Sequence, residues 1–409
     1  MSADKRISKL SVFLTSYLTL IFSLNLFFNK ILFSPITFLL YILLLSVLIF
    51  KDITKDLTLT KILVMILIFI SLSSPTGEWD ARSIWMFHAK QIFYDQNIFA
   101  QFDNYGFQNE YPIFISYYAA QIARLFNYWN EILPKLSTIL IAVPVIIYLS
   151  SHAKNRLHEL IIIFLYTFFF GKGLINGEAD ALLGLYFTSI FSFIFFENNY
   201  FLNTKYNNRI NIFFLISLIA IFINLKTNSL FLLFILVISV FIFKKIKIYN
   251  FCSIIFISII PFLFFKFNVF NLGISGNFYN IFLKLNFLEI IFNFRELLII
   301  LNEIFVNKYT LITLIILLNY FFYMKKNFFR KKDYYIFSFD KSYNYILASI
   351  FIYICHVLFL VLVLMILSTY EKFDLVVWSL QRYMAPVLFF ISYIFVYARF
   401  GDKLKKKNV

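Results

Sequence analysis

Residues 212–223 read IFFLISLIAIFI, a run with one serine hydroxyl in it, and they decide the class of fold. No polar side chain returns at every second position, as the wall of a membrane β-barrel requires, so the run reads as helix rather than strand. Comparable runs of Phe, Ile and Leu recur along all 409 residues, 61% of which are hydrophobic and only 14% charged. A soluble domain carries about a quarter charged residues. With a mean hydropathy of +0.82, the chain reads as an integral membrane protein, in which about 20 helical residues span the hydrocarbon core.

Hydropathy and its breaks predict crossings at 10–28, 31–50, 61–74, 132–150, 160–176, 181–196, 210–225, 228–243, 250–270, 309–324, 345–367 and 386–399. The expectation is an all-α membrane protein, a polytopic helical bundle of about twelve transmembrane helices. The first run follows Lys5, Arg6 and Lys9 but has no small-residue cleavage site and is too long for a signal-peptide core, so it is read as a retained span. Two apolar stretches fail as crossings. Residues 111–126 are short and carry Gln121 and Arg124, while 277–307 are broken by Lys284, Glu289, Arg295, Glu296 and Glu303; both are expected to lie in the interface. Cys252 and Cys355 sit inside apolar runs, where a thiol serves as a small hydrophobe, and no disulfide is expected. Without a Pro/Gly/Ser linker or an internal repeat, 1–409 reads as a single transmembrane domain ending in a basic cytoplasmic tail at 400–409.

Charge orients the bundle. With the N-terminus cytoplasmic, the predicted inner segments hold 24 Lys/Arg and 8 Asp/Glu, so the formal charge of +16 falls on that face. Such an asymmetry is the ordinary consequence of membrane topology and anionic lipid, and gives no reason to invoke nucleic acid. Both termini are then cytoplasmic, and the unusual polar residues collect outside.

The first outer loop, 75–131, opens with GEWDARSIWMFHAKQIF at 77–93. Acids are scarce in this chain, so Glu78 and Asp80 beside a membrane span point to chemistry. On helical spacing Ala81, Trp85, Ala89, Ile92 and Phe93 share a face that could sink into the interface, with His88, Gln91 and Asp95 turned away. Tyr111-Pro112 starts a second expected interfacial helix. Glu178 and Asp180 occupy a tight turn, GEAD at 177–180, on the same predicted side. Lys226 sits in the turn NLKTN at 224–228, and Arg382 in SLQRYMAP at 379–386, before the last span. Each has a plainer reading: the acids would cap helices, Lys226 would snorkel from a helix end, and Trp79 and Trp85 would anchor at the interface. A lone histidine such as His88 is more often incidental than functional.

The run WDARSIWMFHAKQIF, Tyr111-Pro112, GEAD, the Lys226 turn and QRYMAP together resemble the GT-C membrane glycosyltransferases. They are most similar to the bacterial branch related to protein O-mannosyltransferases and lipid A aminoarabinose transferases. The resemblance covers about 60–390, within a core of 61–399 that leaves two leading spans, 1–60, outside it. It implies transfer of a sugar from a polyprenyl-phosphate donor to an envelope acceptor on the outer face of the cytoplasmic membrane, inverting the anomeric centre. Asp80 becomes the candidate base, and Glu78 its neighbour, binding acceptor or a divalent ion such as magnesium or manganese. Asp180 with Glu178 becomes the second carboxylate. Lys226 and Arg382 would hold the lipid phosphate, and Arg82, His88 and Tyr383 would complete the substrate site. A transporter or flippase, an O-antigen polymerase or ligase, and a structural envelope subunit are the alternatives. The first usually shows repeated halves and broken spans, the second a late outer loop rich in Arg and His, where 271–308 has only Arg295.

Overall fold

A computed structural model of the chain describes residues 3–28, 34–50, 57–74, 81–99, 111–196, 207–244, 248–271, 294–330, 341–368 and 373–401. Among the described residues every regular element is helical. The order is α1 Ala3–Phe28, α2 Ser34–Phe50, α3 Thr58–Ser73, a π-helical turn Ala81–Met86, α4 Phe87–Asp95, α5 Phe114–Leu125, α6 Leu136–Ser150, α7 Arg156–Asn176 and α8 Ala179–Phe196. It continues with α9 Asn207–Ile223, α10 Ser229–Lys244, α11 Ile248–Asn271, α12 Phe294–Val306, α13 Lys308–Arg330, α14 Lys341–Ser368 and α15 Phe373–Gly401.

Among the described residues five helices have the length and apolar composition to cross a membrane: Arg156–Asn176, Ala179–Phe196, Phe251–Asn271, Asn344–Leu364 and Arg382–Phe400. Leu297–Val306 and Lys308–Phe322, bent by 59° at Asn307, make a sixth if they count as one span. Six shorter apolar helices, of 10–17 residues, accompany them. Each of the twelve expected stretches overlaps one of these elements, and among the described residues five or six of those elements have the composition and length of a full span.

Contacts group the chain into two compact units. Unit 1 comprises Met1–His152, Phe170–Leu230 and Ile246–Asn277. Its centre is α8, buried at every residue from Ala179 to Phe195, as expected of a helix that is apolar all round. Polar side chains tie its neighbours to one another through backbone carbonyls. Pro144 in α6 lacks the N–H that would meet the carbonyl of Leu140, and the Tyr41 hydroxyl of α2 donates to that carbonyl instead, at 2.7 Å. Tyr186 of α8 donates to the next carbonyl, Ile141, at 3.0 Å. Between α1 and α9, the Ser217 hydroxyl donates to Ser16 Oγ at 3.1 Å, a small-residue seam that lets the two helices approach closely.

The structure corrects two of the three stretches expected at the interface; of the third, 277–307, residues 277–293 lie outside the described residues. All ten residues from Phe114 to Ala123 of α5 are buried, and α5 packs against α2, α4 and α6 inside unit 1. The face formed by Ala81, Trp85, Ala89 and Ile92 is also buried, with Trp85 stacked on Tyr111 at 5.9 Å; Trp85 is a core residue and not an interfacial anchor. Sequence hydropathy cannot separate a lipid-facing surface from a protein-facing one, since both are apolar.

Unit 2 comprises Ala153–Phe169, Phe231–Lys245 and Phe278–Val409. Here α15 packs on α13 and α14, with Thr313 and Ser392 hydroxyls 3.1 Å apart and Phe231 stacked on Phe359. A second correction falls on α15. Residues 368–385 were expected as an outer loop, yet helix begins at Phe373 and passes through Pro386 without stopping. Nothing between 373 and 385 breaks a helix. Pro386 withholds the N–H that would meet the Arg382 carbonyl, and at the adjacent carbonyl, Tyr383, His356 of α14 donates from Nε2 at 3.3 Å.

Candidate functional site

The best-defined polar site lies in unit 1, where two turns distant in sequence meet. Helix α7 ends at Asn176, and Gly177 turns the chain with φ +87°, a conformation that a residue with a Cβ adopts only under strain. The amides of Gly177 and Glu178 both donate to the Gly173 carbonyl, at 3.0 and 2.8 Å, closing the C-terminal end of α7. Helix α8 then begins at Ala179, which puts Asp180 in its first turn, where the helix dipole favours a carboxylate. On the other strand of the argument, α9 ends at Ile223, and 224–228 form the return into α10. Ser229 fixes that return, its amide and hydroxyl both donating to the Lys226 carbonyl at 3.1 and 2.6 Å.

The result is an ion pair, Lys226 Nζ to Asp180 Oδ1 at 2.9 Å, with side chains 2% and 7% exposed. At that depth each charge is answered by the other. Removing one partner from such a pair costs about 3–5 kcal/mol, since the survivor is left buried and uncompensated. The sequence had placed both residues on one face; their direct contact was not foreseen.

A second lysine, which the sequence reading passed over as part of a span, stands nearby in the fold of unit 1. Lys135, immediately before α6, is fully buried. Its ammonium donates to the carbonyl of Ser74, at the end of α3, and reaches Ser74 Oγ at 3.3 Å. Burial draws its pKa down from the usual lysine value. Gly177 lies against it: a Cβ on Gly177 would stand 3.4 Å from Lys135 Cβ, 3.6 Å from Thr138 Oγ1 and 3.7 Å from Met86 Cε. Ser71 of α3 donates to the Ile175 carbonyl of α7 at 3.2 Å. The end of α3, the π-helical turn, the start of α6 and the α7–α8 turn therefore converge. The only sequence signal for Lys135 was a cation within a predicted crossing, and hydropathy windows tolerate one.

Glu78 and Asp80 fall outside the described residues, as does Trp79. The described residue before them, Ser74, and Met86, at the far end of the π-helical turn that follows them, both belong to the convergence around Lys135 and Gly177. Glu178 is half-buried, its Oε2 3.2 Å from where a Cβ on Gly173 would sit, so the carboxylate folds back over α7. Arg82 is exposed on the π-helical turn. His88, expected to point away from the apolar face, is 1% exposed within α4. In unit 2, Arg382 and Tyr383 are half-buried on α15, the guanidinium 5.6 Å from the Tyr383 ring centre. Among the described residues no three His, Cys, Asp or Glu side chains are grouped to hold a metal ion.

No family model, no curated relative and no solved structure matches this chain.

Proposed function

We propose that the protein is a polytopic membrane glycosyltransferase of GT-C type, transferring a sugar from a polyprenyl-phosphate donor to an envelope acceptor on the outer face of the cytoplasmic membrane. The observation that carries this reading is the buried Asp180–Lys226 pair, held at 2.9 Å between two turns in the same unit as the flanks of the Glu78-Trp79-Asp80 loop. If the five long helices, the bent pair and the six short ones all cross, both termini lie on the same side of the membrane, and the basic inner segments favour the cytoplasmic one.

In this reading the acceptor hydroxyl attacks the anomeric carbon, the bond from that carbon to the phosphate oxygen breaks, and Asp80 takes the hydroxyl proton as the new bond forms. The departing polyprenyl phosphate carries the developing charge, which fixed cations must meet. Lys226, held in place by Asp180 at 2.9 Å, is the cation of unit 1 that would meet that charge. Glu78 orients the acceptor or holds a divalent ion.

Asp80→Asn is the direct test. Membranes supplied with a polyprenyl-phosphate sugar should lose transfer to below detection while the variant remains inserted, and retained transfer would remove Asp80 from the chemistry. Mass spectrometry of lipid-linked sugars and envelope glycans, with and without active protein, identifies donor and acceptor. The 59° break at Asn307 is the one feature that favours transport instead, because broken helices often line solute paths. Uptake of a lipid-linked sugar by vesicles carrying the Asp80→Asn protein separates the two readings.

A further inference from the structure

In unit 2 aromatic rings hold the start of α7 against the end of α15, and three cations stand around that junction. Asn155 caps α7, its Oδ1 accepting the His158 amide at 2.8 Å, and the Lys154 amide donates to His158 Nδ1 at 3.3 Å, which folds Lys154 back beside the first turn. The His158 ring stacks on Phe400 of α15, with centres 4.7 Å apart. Lys154 Nζ stands 5.9 Å from the centre of the Tyr397 ring, and the Arg399 guanidinium 5.8 Å from that of Phe400. Lys154 and Arg156 are exposed, and Arg399 is half-buried. Glu159, the acid in the first turn of α7, is 2% exposed and presents little charge to the surface.

Beyond Arg156 the same side of α7 is apolar. At about 100° per residue Arg156, Leu157, Leu160, Phe164 and Thr167 fall on one face, and all five are exposed. The stripe from Arg156 to Thr167 runs about 16 Å, which is the depth of one leaflet, half of a hydrocarbon core of about 30 Å. Since α7 has the length and composition of a full span, its Arg156 end lies at the level of the head groups. A soluble anion would answer only the cations, and the apolar stripe would be left over. A zwitterionic lipid would answer the stripe but bring its own ammonium against three positive charges. An anionic lipid answers both. A diffuse basic surface attracts such lipids without choosing a place; here the rings of α15 fix the first turn of α7, and with it both the cations and the head of the stripe.

We propose that the Arg156 end of α7 and its exposed stripe bind one anionic phospholipid from the leaflet they face. The Arg156 guanidinium and the Lys154 ammonium hold the phosphate, Arg399 adds positive charge from α15, and an acyl chain lies along Leu157, Leu160 and Phe164. This assignment is independent of whether the protein transfers sugar.

Native mass spectrometry of the full-length protein tests it, with the protein released from nanodiscs of equal parts dioleoyl phosphatidylglycerol and dioleoyl phosphatidylcholine. One phosphatidylglycerol per chain is expected to stay bound, preferred about twentyfold, at about fivefold for each of the two cations at the phosphate. Arg156→Gln, a change at an exposed position that leaves the core untouched, should lower that preference about fivefold. Lys90→Gln, which removes an exposed cation from α4, should leave it unchanged. Equal retention of the two lipids, or an undiminished preference in Arg156→Gln, overturns the proposal. So does an equal loss in the two variants, the mark of diffuse attraction, or displacement of the lipid by excess inorganic phosphate, the mark of a site for soluble anions.

Discussion

The Asp180–Lys226 pair and the Gln121 crevice are both buried polar sites of unit 1, and the fold treats them in opposite ways. At the first, two turns 46 residues apart bring a carboxylate and an ammonium to 2.9 Å. At the second, a carboxamide is enclosed by five aromatic rings and meets none of their hydroxyls. The difference follows from magnitude. A lone buried charge is too costly to tolerate, so the fold must pair it; an unpaired amide costs a few kcal/mol, which a large apolar unit can carry. The pair therefore belongs to the architecture as much as to any chemistry, whereas the amide is a cost that the fold carries.

Breaking the pair should have the largest effect. Asp180→Ala is expected to destabilise unit 1 by about 3–5 kcal/mol in a detergent unfolding titration, because buried Lys226 loses its carboxylate. Asp180→Leu combined with Lys226→Met should recover most of that loss, and a double variant as weak as the single would mean that the pair is not electrostatically coupled. Gln121→Leu should move the opposite way, stabilising the protein by about 1–3 kcal/mol as the unpaired amide is removed. A loss of stability there would show that Gln121 is satisfied and erase the contrast.

Gly177→Ala sharpens the first half of the comparison through the backbone. Space beside Gly177 is ordinary, but its φ of +87° is not available to alanine without strain, so a loss of about 1–2 kcal/mol is expected from conformation alone. Lys135 gives the smallest effect and one that depends on pH. Its pKa is lowered in the folded protein, so across the interval between that lowered value and the unfolded value near 10.5 the unfolded chain binds more protons. Stability then rises with pH through that interval and levels off above it. A Lys135→Met variant should lack this rise, and parallel stability curves for the two proteins across alkaline pH would show that burial does not disfavour the lysine's charge.

Much of the framework was legible because it is local. Each of the twelve expected apolar stretches overlaps a helix, since a run of apolar residues without a breaker carries its own instruction to wind and bury. The turns at 177–178 and 224–228 were equally readable from Gly177 and from the cluster Asn224, Lys226, Thr227 and Asn228. Failures came where the signal was ambiguous. Gln121 and Arg124 made α5 look too polar to cross, and it was assigned to the interface when it is enclosed by other helices. The drop in hydropathy at Gln381-Arg382 looked like a loop, although nothing from 373 to 385 interrupts a helix.

By itself the sequence determined a helical protein of membrane character, because helix winding and burial depend on residues a few positions apart and on the length of each apolar run. Only the tertiary structure decided that Asp180 meets Lys226, that Lys135 reaches Ser74 and that Gln121 faces a crevice with no partner. Those outcomes depend on which helix lies beside which, and apolar helix faces of similar composition do not record their neighbours.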